Sequence, residues 1–239
     1  MKKDTFIETS RVLAFREAAN IVKDTVKGQP GLMLAWGLAG RGKTMCSERY
    51  AVQNDDCVFV RVFQDWTPLA MLSTICRHIN GMDPRRVDPA KQIIIEELDD
   101  RPRMILIDEA DRLNINNVEH LRDIHDQTGA PIVLIGEPSL YGKLKARRRI
   151  LERITRRVEF GPVTAEDVLL YGVKACDLDI DPSAAVELVR RCQGSFRLLY
   201  HLMVDVNRFA KANKTDTVTL EMVESIPDHR KAPTPERER

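Results

Sequence analysis

The chain has 239 residues, with 37 Lys+Arg against 36 Asp+Glu and a formal net charge of +1. With 43% hydrophobic and 31% charged residues, it is expected to bury a sizeable core in one or two domains. That composition excludes a disordered chain, a membrane-spanning one, and a histone-like protein that coats nucleic acid by bulk charge.

Residues 10–26 place Val12, Phe15, Ala19, Val22 and Val26 at spacings of three and four, one face of an amphipathic helix capped by Thr9 or Ser10. Gly28-Gln29-Pro30-Gly31 breaks it. Leu32–Trp36 is a short continuous apolar run, the pattern of a buried parallel strand. A helix is predicted over 43–53, then a second strand over Val58–Phe63. Thr67-Pro68 starts a helix whose apolar face is Leu69, Leu72, Ile75 and Ile79. After a polar break at Asp83–Pro89, residues 90–99 read as helix and Met104–Ile107 as a third strand. A helix over 115–127 leads to a fourth strand, Ile132–Ile135, closed by Gly136. A basic helix and a short strand at Val158-Glu159-Phe160 follow, and Gly161-Pro162 punctuates the chain.

Strands alternating with helices predict an α/β fold, an αβα core with a mostly parallel sheet. No strand signal follows residue 162. The expected organisation is a core over 1–162, a small all-helical domain over 163–226 and a disordered tail over 227–239, where three prolines and seven charged residues leave almost nothing apolar. No apolar run approaches the ~20 residues of a membrane span, and no apolar leader follows the first lysines. Five cysteines without a Cys-x-x-Cys pair predict reduced thiols, so a cytoplasmic location is expected. The five histidines form no metal-spaced pair and read as surface or packed side chains.

Gly37-Leu38-Ala39-Gly40-Arg41-Gly42-Lys43-Thr44 fits G-x-x-x-x-G-K-[ST] between an apolar strand and a helix. In that setting backbone N–H groups from Gly37 to Met45 wrap phosphates, and the helix N-terminus adds partial positive charge. Lys43 is expected on the β/γ-phosphates and the Thr44 hydroxyl on Mg²⁺. Asp108-Glu109, at the end of the third strand, supplies the matching half: Asp108 as the magnesium-linked carboxylate, Glu109 as the base that orients water. Both motifs together predict ATP or GTP with Mg²⁺ as cofactors. A serine or cysteine hydrolase is not supported, since Gly-x-Ser-x-Gly is absent and Cys46 lies inside the phosphate-loop helix.

With these motifs the sequence resembles the AAA+ ATPases, and among them the MuB family of Mu-like phage transposition ATPases, with TnsC as a cousin. The resemblance runs over ~10–226 and is carried by Glu8-Thr9-Ser10, the phosphate loop, Trp66-Thr67-Pro68, Ile107 to Leu113, and Glu152-Arg153-Ile154 through Val158-Glu159-Phe160. It implies ATP as the nucleotide and a helical lid after the core. It also implies two further site residues. Arg197, within Gly194-Ser195-Phe196-Arg197, matches the lid sensor that reads the γ-phosphate. Arg153 matches the arginine finger that completes a neighbouring subunit's site, with Arg147, Arg148 and Arg149 as competitors. The sensor position after the fourth strand is Glu137, where the superfamily usually has a neutral polar group, so Ser139 is the alternative; a carboxylate there implies slow hydrolysis.

From Lys143 to Arg157 there are eight basic residues and one acidic one, which read as a solvated face, a subunit interface or a DNA contact. The segment after the second strand is the other DNA candidate: Arg61, Trp66, Thr67, Arg77, Arg85 and Arg86, with Trp66 equally readable as core. Phosphate contacts of this kind predict salt-dependent, weakly selective binding to duplex DNA. With 36 residues before Gly37, the chain is expected to lack the N-terminal helix-turn-helix module of MuB. The resemblance implies a homo-oligomer, filament or ring, that delivers target DNA to a DDE transposase in the cytoplasm of a bacterial host, with no membrane partner. A helicase loader or replication initiator is the alternative. An ExeA-like secretion ATPase is a third reading, disfavoured by the lack of a membrane segment or a peptidoglycan-binding domain.

Overall fold

The computed structural model describes Lys2 and residues 5–227, which divide into two compact units. The expected tail falls almost wholly on 228–239, outside the described residues.

The first unit, Ser10–Gly161, runs α1 (Ser10–Lys23), β1 (Leu32–Trp36), α2 (Lys43–Gln53), β2 (Cys57–Arg61), α3 (Pro68–Asn80), α4 (Val87–Asp100), β3 (Met104–Asp108), α5 (Ile115–Thr128), β4 (Ile132–Gly136), α6 (Pro138–Lys145), α7 (Arg148–Leu151) and β5 (Ile154–Glu159). All five strands are parallel, in the order β2-β3-β4-β1-β5. The three central strands are buried on both faces, which is why they read as unbroken apolar runs. Strand parity sorts their side chains into two cores. Leu32, Leu34, Ile105, Ile107, Ile132 and Leu134 face α3, α4 and α5. Met33, Ala35, Met104, Leu106, Val133 and Ile135 face α1 and α2, where Phe15, Val22 and Tyr50 close over them.

Edge and boundary details differ from the sequence expectation. β5 starts at Ile154 rather than Val158, because only Ile154 and Val158 turn inward and exposed Thr155, Arg156 and Arg157 interrupt the apolar signal. The fourth helix begins at Val87 rather than residue 90, and β2 spans Cys57–Arg61 rather than reaching Phe63. The basic helix is two helices, α6 and α7, joined at Ala146-Arg147. α6 is held over β1 by Tyr141, stacked on Trp36 with ring centroids 5.1 Å apart and 16° between planes.

The second unit joins residues from both ends of the sequence, through Thr9 and from Pro162 onward. It contains α8 (Ala165–Tyr171), a five-residue π-helical turn over Gly172–Cys176, β6 (Asp179–Ile180), α9 (Pro182–Cys192), α10 (Phe196–Ala212), β7 (Thr217–Val218) and α11 (Leu220–Ser225). α8 begins in a reciprocal capping box, Thr164 with Asp167. Val168, Leu188, Leu199, Met203 and Val206 form its core, and Ile7 packs against them. The Lys2 N–H donates to the Ala175 carbonyl at 2.7 Å. Residues 5–9 therefore group with the helices after 162 rather than with the expected 1–162 core. The expected all-helical segment also carries a small parallel ladder, Asp179 opposite Thr217 and Ile180 opposite Val218.

Candidate nucleotide site

The site is built at the C-terminal ends of β1, β3 and β4, where a parallel sheet opens its loops. At β1, Gly37 lies so close to the end of β5 that a Cβ there would stand 2.4 Å from the Phe160 carbonyl oxygen. Gly42 has φ +90°, a left-handed conformation that turns the loop into α2. No side chain caps α2, and no acidic residue lies in its first turn, so its leading N–H groups face the loop. Lys43 folds back over this loop, its Nζ donating to the carbonyls of Gly37 (2.7 Å) and Leu38 (3.0 Å). Burial lowers its pKa from the usual lysine value, opposed by the nearby carboxylates of Glu137, Glu109, Asp108 and Asp111 in that order.

Parity places the acidic half. Asp108 follows Met104 and Leu106 on the α2 face of β3, and its carboxylate, 1% exposed, accepts the Thr44 hydroxyl at 2.9 Å. Residues 64 apart in the chain thus form one oxygen pair. Glu109 leaves the strand at φ +58°, a conformation that costs a non-glycine residue about 1–3 kcal/mol and swings its side chain out of the sheet. Its carboxylate lies 3.3 Å from Arg112, whose guanidinium also donates to the Val62 carbonyl. Across the cleft, the Glu137 N–H donates to Asp111 Oδ1 at 2.9 Å; Gly136 leaves room for that carboxylate, since a Cβ would stand 2.5 Å from it. Glu137 is half-buried and Ser139 exposed.

These residues suit a magnesium nucleotide. A hydroxyl and a carboxylate form a hard oxygen pair, a lysine lies on a glycine loop, and an uncapped helix N-terminus stands beside them. Leu38, Ala39, Gly40 and Arg41 complete the loop, and Met45 is exposed in the first turn of α2.

The remaining expected residues are more scattered. Arg153 is bound within its own unit: two nitrogens meet Asp126 of α5 at 2.5 and 2.8 Å, and a third donates to the Arg149 carbonyl. Arg148 pairs with Glu152 at 2.6 Å, Arg149 lies 3.4 Å from Glu119, and Arg147 is exposed. Lys143 is half-buried, its Nζ donating to the carbonyls of Asp111 and Leu113. Arg197 is exposed in the first turn of α10 in the second unit.

Among the DNA candidates, Thr67 caps α3, accepting from Ala70 N–H at 3.2 Å. Trp66 packs on the large core with its ring edge to Phe63, and Asn117 donates to its carbonyl. Arg77, Arg85 and Arg86 are exposed on or between α3 and α4. Arg61 stands apart from them. It bridges Glu48 at 2.7 Å and Asp108 at 3.3 Å, so its guanidinium belongs to the carboxylates of the nucleotide site. The register gives the reason: Arg61 is the partner of Asp108 on the neighbouring parallel strand, so the two side chains share a face.

Comparison with known proteins agrees with the geometry. Residues 26–144 match the AAA domain family model. The chain is 28% identical over 134 residues to a potential ATP-binding protein of Staphylococcus aureus, covering 52% of this chain and 49% of that protein. It is 25% identical over 176 residues to the ATP-dependent target DNA activator B of Escherichia phage Mu, covering 69% of this chain and 55% of that one. The chain thus spans about half the length of these relatives. The fold superposes on the ORC2 protein of Aeropyrum pernix with a TM-score of 0.65 over 93% of this chain and 69% of that one, at 15% identity. Motif order, sheet order and these matches agree: residues 26–144 match the AAA domain family, and the chain is similar to the MuB target DNA activators of Mu-like phages.

Proposed function

We propose that the protein is an ATP-hydrolysing target-DNA factor for transposition, which assembles as a filament or ring on duplex DNA and delivers it to a DDE transposase. The observation that carries this reading is the Thr44–Asp108 contact at 2.9 Å, joining two motifs in a chain similar to a phage Mu target DNA activator. In this reading the loop N–H groups and Lys43 hold the phosphates, and Thr44 and Asp108 hold Mg²⁺. Bound there, Mg²⁺ neutralises charge on the phosphate oxygens. Glu109 orients the attacking water and takes its proton, which first requires release from Arg112. Glu137 occupies the sensor position, where its negative charge opposes a γ-phosphate and slows turnover. Arg153 reads the nucleotide of a neighbouring copy, and Arg197 is the proposed γ-phosphate sensor.

Assembly follows from linkage: if ATP binds the polymerised state better than the free one, ATP drives polymerisation and hydrolysis reverses it. Exposed Thr67, Arg77, Arg85 and Arg86 are the proposed phosphate contacts. No described helix is long and apolar enough to cross a membrane, and the proposed site of action is the cytoplasm of a bacterial host.

Fluorescence anisotropy of a labelled duplex of arbitrary sequence, titrated in ATP, in ADP and without nucleotide at two salt concentrations, tests this. Cooperative binding in ATP alone, weakened by salt, is the expected result. Absence of binding in every nucleotide state would sink the DNA reading and point to a protein client.

A further inference from the structure

Asp108 Oδ2 has two partners in the structure, the Thr44 hydroxyl at 2.9 Å and the Arg61 Nε–H at 3.3 Å. The carboxylate is 1% exposed, so water cannot solvate its charge and a cation must. Arg61 is half-exposed and reaches it from the end of β2, where register and parity aim both side chains at α2. Its outer nitrogen is held more tightly, by Glu48 of α2 at 2.7 Å.

We propose that Arg61 is a resident counter-ion of Asp108 that competes with the divalent cation for the same carboxylate oxygen, with Glu48 as the position to which the guanidinium withdraws. The proposal rests on the reading that Thr44 and Asp108 hold Mg²⁺. A guanidinium does not deprotonate in a protein, so it yields to a second cation only by moving. Glu48 already grips the far end of the side chain, so the move is short: Nε leaves Asp108 while Nη2 keeps its partner. The competition weakens Mg²⁺ binding relative to a bare Thr–Asp pair. It also ties the end of β2 to metal occupancy, because the Val62 N–H donates to the Asp108 carbonyl at 2.9 Å.

The test uses the full chain and a fluorescent ATP analogue, with nucleotide anisotropy followed as Mg²⁺ is titrated. Arg61→Gln is expected to lower the Mg²⁺ midpoint about three- to tenfold, and Glu48→Gln to raise it by a similar factor, because the guanidinium then stays on Asp108. A merely structural role for Arg61 would move both variants in the same direction or leave the midpoint unchanged, and either result overturns the proposal. Asp108→Asn separates the two levels. If it abolishes the Mg²⁺ dependence while Arg61→Gln leaves the midpoint where it was, the counter-ion idea fails and the magnesium reading stands. If Asp108→Asn responds to Mg²⁺ like the parent protein, both fall.

Discussion

Among the described residues Lys43 donates to the carbonyls of its own loop, while four carboxylates surround it at longer range. Such an ammonium is free to exchange weak neutral acceptors for phosphate oxygens. Lys43→Ala is therefore expected to lose nucleotide binding outright, read by equilibrium binding of a labelled nucleotide. Glu109→Gln should bind ATP as before and hydrolyse it about 10²–10⁴-fold more slowly, read by phosphate release under single-turnover conditions. Glu137 gives a sharper expectation. It is the leading opposing charge on Lys43, and in the proposed reading it faces the γ-phosphate. Glu137→Gln should tighten ATP about five- to tenfold and leave ADP nearly unchanged, since a Coulomb term near ε ~20 is worth about 1 kcal/mol across roughly 12–16 Å. Equal gains for both nucleotides would place Glu137 elsewhere.

At the scale of elements, the Arg153–Asp126 pair links the start of β5 to α5, and the Arg153–Arg149 bond ties it to α7. A finger that serves another copy must leave Asp126 or share it. Arg153→Ala is expected to keep nucleotide binding in the monomer and to lose DNA-stimulated hydrolysis; an unchanged stimulated rate would move the role to Arg147, Arg148 or Arg149. How much of this was readable from sequence depends on burial. β1, β3 and β4 stand out because both faces are buried, and the phosphate loop because its glycines have backbone reasons to be there. β5 is half-hidden because an edge strand turns only Ile154 and Val158 inward. β6 and β7, two residues each, are too short for any period to show. Arg61 was legible only once β2 and β3 were known to be neighbours in register, which composition and spacing do not give.

At the scale of the molecule, the second unit is fastened by a chain of contacts from Glu187. That carboxylate is held down to about 2, mainly by its hydrogen bonds to Arg190 and then Arg191, and Arg191 in turn donates to the Ile226 carbonyl at 2.8 Å. A carboxyl group with a depressed folded pKa stabilises above its ordinary range of roughly 4–4.5 and loses that contribution as pH falls toward the folded value. The unit should therefore lose stability between about pH 4.5 and pH 2. Glu187→Gln should remove this pH step and cost roughly 2 kcal/mol at neutral pH, because Arg191 is left buried without its carboxylate charge. Thermal melts across that range check both. Deleting residues 1–8 removes the Ile7 packing and the Lys2 bonds to Ala175 and Asp177. Hydrogen exchange should then show α8 and α9 losing protection while Leu32–Trp36 keeps its own.

The grouping of residues 5–9 with the helices after Pro162 also orders events on the ribosome. The sheet unit, Ser10–Gly161, is complete before the helices that receive Ile7 have been synthesised. Residues 5–9 thus find their place only once that later segment exists, across a span as long as the 175-residue separation between Lys2 and Asp177. Joining ends so distant costs chain entropy only logarithmically in their separation, and the folded sheet unit has by then shortened the effective loop. A chain cut after Gly161 would hold the whole sheet unit while residues 5–9 lacked the helices they pack on.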